Sequence, residues 1–307
     1  MKKKYAYDVW IFFLFLVILL GVNSDLLMGK DSSGSKKPRL YIKFSGIGNT
    51  AKGGDFNDFI ERNNVYYTSL NENPRFSTKI SVPKNFLGFG GEIGLEVDKF
   101  AIGLSVGHFK KNYLLEYHYT ASSGFENQYT WDTTFSAVPI FVMIHYKAIR
   151  TSFFTASVTL GNGAYLSRFK SDQKQTYKNH TITYANDLIE SHKNQLGFFA
   201  GTTFDFNVTR NLAVFIEASY RWVQFKEMKA NEIFQDDNRT LLRESDFYYW
   251  TGNIKNDARF DAGSTSNTDW TTRPAKFDLN GFAIQAGLKI IFGSFKKEKA
   301  KKIAPMD

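Results

Sequence analysis

The chain has 307 residues, a net charge of +9 and 17 % aromatic residues, mostly its 30 Phe and 16 Tyr. It contains no cysteine, which excludes disulfides, thiolate metal sites, a cysteine nucleophile and a lipoprotein-type anchor. Mean hydropathy is −0.33 and no apolar stretch of spanning length follows the N-terminus, which argues against membrane helices but not against a membrane barrel, whose strands are only half apolar. The positive charge is dispersed except at the C-terminus, so nucleic acid is not an expected partner.

Lys2, Lys3 and Lys4 precede an apolar run from Val9 to Val22, and Val22-Asn-Ser24 offers a small residue before a cut. The pattern predicts a signal peptide over 1–24; an uncleaved helical anchor is the other reading. A polar Ser/Gly linker follows over 25–38. Eight segments then alternate with period two: Arg39–Gly48, Phe86–Val97, Phe100–Phe109, Phe135–Tyr146, Phe153–Leu166, Leu196–Val208, Leu212–Val223 and Asn280–Phe292. Tight connections (Asp98-Lys99, Lys147–Ser152, Thr209–Asn211) alternate strictly with long ones (Asn49–Asn85, Lys110–Thr134, Ser167–Gln195, Gln224–Leu279). An up-and-down antiparallel sheet therefore carries its short turns at one end and its long loops at the other.

One face of these strands is apolar, running from Leu40, Ile42 and Phe44 through Val138, Ile140 and Val142 to Leu288 and Ile290. It holds no charge, and only Asn162 and Thr202 are polar. The other face is small and polar, as in Gly88, Gly90, Glu92, Gly94 and Glu96. Volume decides which faces outward. The interior of an eight-stranded barrel barely holds its own side chains, so the large apolar face must lie outside, against lipid, and closure must satisfy the backbone. Aromatics fall at both ends of this face: Phe100, Tyr146, Phe154, Phe206 and Phe292 near the short turns, Phe198, Tyr220, Trp222 and Phe282 near the long loops.

Across 39–292 the eight strands, the Tyr220-Arg221 strand end and the Gly281-to-Phe292 terminus resemble the small bacterial outer-membrane β-barrel family, whose best-known member is the membrane domain of outer membrane protein A. The resemblance implies an all-β fold, a single eight-stranded antiparallel transmembrane barrel in the cell outer membrane. Lipid and the outer-membrane assembly machinery are the partners it implies. Gln285, Gly287, Ile290 and Phe292 match the spacing of the family's assembly signal on the last strand. The tail 293–307 is a departure, because the last aromatic usually stands near the chain end. Here Lys296, Lys297, Lys299, Lys301 and Lys302 follow, predicting a basic periplasmic segment.

By parity Lys43, Glu92, Glu96, Asp205, Glu217, Arg221 and Lys289 point into the lumen, where unpaired charge is costly. A lumen charge network is expected, with Lys289 paired to Glu217. His108, His118, His145, His180 and His192 show no ligand spacing, so neither a metal nor another cofactor is expected. His145 is inward by parity. Ser105 with His108, and Ser136 with His145, lack a convincing third member, so no catalytic set is assigned. Gly53-Gly54-Asp55-Phe56-Asn57-Asp58 and Gln235–Asn238 read as turns with local Asx hydrogen bonds rather than calcium loops. Phe247-Tyr248-Tyr249-Trp250 and Trp270 read either as a contact surface or as a strand extension with rings packed together. The expected function is non-enzymatic, envelope-structural and surface-contacting, with an external ligand or surface met at the long loops. A narrow pore and a lipid-modifying enzyme are the alternatives.

Overall fold

The computed structural model describes residues 38–50, 53–81, 86–180, 183–252, 258–262 and 270–292. The predicted signal peptide 1–24, the linker up to residue 37 and the tail 293–307 lie outside the described residues. In chain order the elements are β1 (Arg39–Asn49), α1 (Asp55–Leu70), β2 (Phe76–Ser81), β3 (Phe86–Val97), β4 (Phe100–Thr120), β5 (Glu126–Arg150), β6 (Phe154–Lys178), β7 (Tyr184–Asn207) and β8 (Leu212–Trp222). Then come β9 (Gln224–Phe225), β10 (Lys229–Asp236), β11 (Thr240–Gly252), β12 (Ala258–Ala262), β13 (Trp270–Pro274), β14 (Phe277–Asp278) and β15 (Gly281–Phe292).

Eight of these strands close on themselves. β1 pairs with β3 and β15, and antiparallel pairing continues β3–β4–β5–β6–β7–β8–β15. The ring leaves no edge, so its backbone groups are met by ladder pairing between neighbouring strands, apart from local irregularities at Gly107–His108 and Lys147–Ile149. These are the eight strands that the alternation predicts. β1 and β8 have 11 residues and β3 and β15 have 12, which is what a tilted strand needs to cross a bilayer. The outward apolar side chains are the exposed ones: Phe44 is 57 % accessible, Phe89 67 % and Leu196 68 %. A belt of this kind is the lipid-facing surface of a transmembrane barrel.

The two ends differ. The connections after β3, β5 and β7 are short, with Asp98 at φ 48° in the first. All three lie at the end where β1 begins and β15 stops. At the other end, what reads in sequence as four long loops is a folded cap. β4, β5, β6 and β7 run on to 21, 25, 25 and 24 residues, well past the membrane. β2 joins the free side of β4, β10 joins β7, and β11 pairs with β10, β12 and β13.

Against this curved sheet packs α1, another departure from the expected turn at Gly53–Asp58. Phe56, Phe59, Ile60 and Asn63 recur at helical spacing and are buried. Gly53 and Gly54 enter it at φ 72° and 58°. A side chain on Gly54 would meet the Lys276 carbonyl at 2.6 Å, so that position accepts only glycine.

Candidate functional site

Cross-strand register places the inward charges. Lys43 on β1 lies opposite Glu92 on β3, and its Nζ reaches Glu92 Oε2 at 3.3 Å. Tyr41 donates its hydroxyl to the other Glu92 oxygen, which also meets His145 Nε2 at 2.7 Å. The Tyr41 ring fits because Gly94 and Gly103 face it: a Cβ on either would come within 2.7 Å of the Tyr41 hydroxyl. From His145 a chain runs along the inner wall from β5 to β8 through Thr159 (2.9 Å), Thr203 (3.0 Å) and the Glu217 carboxylate (2.8 Å). Gln285 donates to the second Glu217 oxygen, and Ser45 donates to Gln285 at 3.2 Å.

A second layer lies nearer the short-turn end. Glu96 takes Arg39, Lys147 at 2.8 Å and Lys289 at 3.4 Å, and Lys289 also meets Asp205 at 2.8 Å. The expected Lys289–Glu217 pair is therefore replaced. In the β8–β15 register Glu217 stands opposite Gln285 and Lys289 opposite Ala213, four residues apart along the strand and roughly 13 Å at the strand rise. A vestibule of about 650 Å³ opens onto this layer, lined by Arg39, Glu96, Lys147, Asp205 and Lys289 among others. Arg221 stands apart from both layers. Its Nε and Nη1 have no hydrogen-bond partner, and its guanidinium lies 4.4 Å from the centre of the Phe109 ring and 5.9 Å from that of Phe199, a cation–π arrangement.

Above Arg221 the tube is filled with rings. Phe141 meets Tyr165 edge-on at 5.2 Å, Phe135 stacks on Phe277 at 4.7 Å, and Phe169 contacts Phe247 and Phe260 at 4.9 and 4.7 Å. Gly197 makes room for Tyr165, whose ring would lie 2.6 Å from a Cβ there. Phe56 and Phe59 of α1 complete the cluster from the cap side, packing on the inward faces of β4, β5 and β6. Between ionic layer and rings lies a cavity of about 30 Å³, bordered by Lys43, Glu92, Phe199, Arg221 and Gln285, room for about one water.

The charged residues Lys43, Glu92, Glu96, Asp205, Glu217, Arg221 and Lys289 all lie inside the barrel and are buried. Arg39, Tyr41, Lys147, Thr159 and Thr203 belong with them and escape a reading of the sequence; inward parity is their only signal. Of the last-strand positions, Gln285 turns into the lumen, Phe292 is exposed opposite Leu40, and Gly287 would press a Cβ to 1.7 Å from the Phe44 carbonyl. Ser136 donates to the Arg168 carbonyl, apart from His145, and His108 packs on Phe89.

The turn-like acidic segments of the cap have structural partners. Asp55 holds Arg273 bidentately at 2.6 and 2.7 Å and accepts the Lys276 N–H at 2.6 Å. Asp58 accepts from Tyr249 at 2.7 Å. Asp236 accepts the backbone N–H groups of Asn238 and Arg239 at 2.8 and 2.9 Å, forming an Asx turn between β10 and β11. The Phe247–Trp250 segment lies on the separate cap strand β11 and not on an extended barrel strand, with its rings packed together as expected: Phe247 and Tyr249 are buried, and Trp250 and Trp270 hold Arg259 between them at 4.7 Å from each ring centre. Burial, then the carboxylates of Glu232 and Asp261, push Asp187 up to about 7.

No protein-family model and no curated protein matches the chain. Among solved structures it is similar to a major outer membrane protein from Thermus thermophilus, at 14 % identity and TM-score 0.39 over 84 % of this chain and 100 % of that one. It is similar to outer membrane protein OprG from Pseudomonas aeruginosa, at 11 % identity and TM-score 0.38 over 86 % and 100 %. It is also similar to outer membrane protease OmpT from Escherichia coli, at 12 % identity and TM-score 0.33 over 86 % and 99 %. None of these likenesses carries a role over to this chain. Its own closed eight-stranded ring and apolar belt are those of an outer-membrane β-barrel.

Proposed function

We propose that this outer-membrane β-barrel is a non-enzymatic, non-conducting envelope protein whose barrel anchors an external cap used for contact. The observation that carries the reading is the double closure of the lumen: a buried ionic layer below, a packed aromatic cluster above, and a cavity of only about 30 Å³ between them. A conduction path would have to break both. Above the membrane, by contrast, the chain invests four long strands and a helix in a folded surface, which anchorage alone does not require.

Two measurements test the reading. Purified protein in a planar bilayer should give no reproducible unit current; steady openings would replace this reading with the narrow pore. Protease added to intact cells should cut the β10–β11 hairpin near Asp237 and spare Asp98-Lys99. Cleavage at Asp98-Lys99 in intact cells would place the cap on the wrong side of the membrane for contact.

A further inference from the structure

The cap carries a second opening, at the opposite end of the molecule's strands from the vestibule. A cleft of about 560 Å³ lies among α1, the upper parts of β4 to β7, and β10, β12 and β13, within the range of about 300–1,000 Å³ typical of small-ligand sites. Its lining is of two kinds. Half-buried rings line part of it, among them Tyr66, Tyr67 and Trp270, while side-chain amides supply paired donors and acceptors, among them Gln173 and Asn186. Among the described residues, the only charged lining groups are Asp187 and Arg259, one of each sign.

Several polar groups here lack partners. Asn127 Oδ1, Asn186 Oδ1 and Asp187 Oδ1 are buried acceptors with no hydrogen bond. All three belong to residues that border the cleft, so their acceptor atoms stand beside the space a ligand would fill. Gln173 spends its oxygen on the Tyr129 hydroxyl at 2.8 Å, which leaves its amide NH₂ for another acceptor.

From this lining we infer that the cleft is a binding site for a neutral saccharide. A sugar ring has C–H faces that lie flat on aromatic rings. Its hydroxyls both donate and accept, which suits amides and unmet carbonyl oxygens together. Arg259 is already paired with Asp261 at 3.7 Å, and the lining concentrates charge of neither sign, so what it offers a ligand is ring contact and hydrogen bonding, which suits an uncharged one. The inference rests on the cap being a contact device, and it names what that device holds. A silent bilayer trace with no sugar bound would sink this inference alone; a conducting barrel would sink the broader reading alone.

The test uses the full chain in a detergent without a sugar headgroup. Maltotriose and tri-N-acetylchitotriose are titrated into the millimolar range, read by tryptophan fluorescence and calorimetry; the two arms separate plain hexose from acetamido-sugar recognition. At least one should saturate, and trigalacturonate and the glucosamine trimer should bind about tenfold more weakly or worse. Gln173→Ala and Trp270→Ala should each weaken binding about tenfold, while Leu242→Ser, on the exposed outer side of β11, should not. Heat-modifiable gel migration confirms that each variant is folded. No saturation by either neutral trimer, tighter binding of a charged one, or folded Gln173→Ala and Trp270→Ala variants that bind like the parent would each overturn the assignment.

Discussion

The lower lumen, closed by Glu92, Lys43, His145, Glu96, Lys289 and Asp205, and the upper lumen, closed by Phe109, Phe135, Phe141, Tyr165 and Phe199, are built on the same ring of strands with opposite chemistry. Below, most contacts are directional, and each charge depends on its partners being present. Above, contacts are many and individually weak, and a lost ring can be partly replaced by neighbours relaxing. The lesson is that one tube can be sealed by strict accounting of charge or by volume. The two seals should fail differently.

The ionic seal should fail hardest at its centre. Glu92 serves Lys43, Tyr41 and His145 at once. Glu92→Leu strands a buried ammonium and should cost about 3–5 kcal/mol in urea unfolding from lipid vesicles. A loss under about 1 kcal/mol would mean that water already solvates this layer. Lys289→Met removes the contacts to Glu96 and Asp205, but the vestibule borders these groups. Its cost should fall below that of Glu92→Leu, about 1–3 kcal/mol. Equal costs would show that the vestibule does not hydrate the lower layer.

The aromatic seal should be softer still to a like-sized change. Phe135→Leu loses the stack on Phe277 while keeping most of the volume, and should cost about 1–1.5 kcal/mol in the same unfolding assay. A loss comparable to Glu92→Leu would mean that the ring cluster is as strictly specified as the charge network.

This contrast tracks what can be read from sequence. The eight spanning strands and the inward position of Lys43, Glu92 and Lys289 follow from period two alone. Partners across the lumen do not, because they depend on register, and the four-residue offset between Lys289 and Glu217 lies in the pairing of β8 with β15. Polar positions between the charges, such as Thr159 and Thr203, look like filler until the network runs through them. In the cap, α1 is legible in Phe56, Phe59, Ile60 and Asn63, but the Gly53-Gly54 pair and nearby acids point to a turn instead. The continuation of β4 to β7 beyond the membrane is obscured because alternation there is broken by polar residues such as Gln173 and Lys174, on strands no longer facing hydrocarbon.

The smallest expected effect lies in the cap, where charge is neither sealed in nor fully exposed. Asp187 sits near Glu232 and Asp261, and burial together with these carboxylates raises it from the usual 3.8 to about 7. The folded cap thus holds a proton at pH values where the unfolded chain has already released it. Linkage then makes stability fall as pH rises between about 4 and 7, with no further change from this residue above that window. Arg259 and Arg243 pull the other way, and the group is not fully enclosed, so the slope should be shallow. Hydrogen exchange of the β7–β10 pair, followed across this range, should show protection decreasing with pH in the parent and a flatter profile in Asp187→Asn. The same dependence in both proteins would assign it to another group. Protection that increases with pH would mean that Arg259 and Arg243 outweigh the neighbouring carboxylates and burial, so that folding lowers the affinity of Asp187 for its proton instead of raising it.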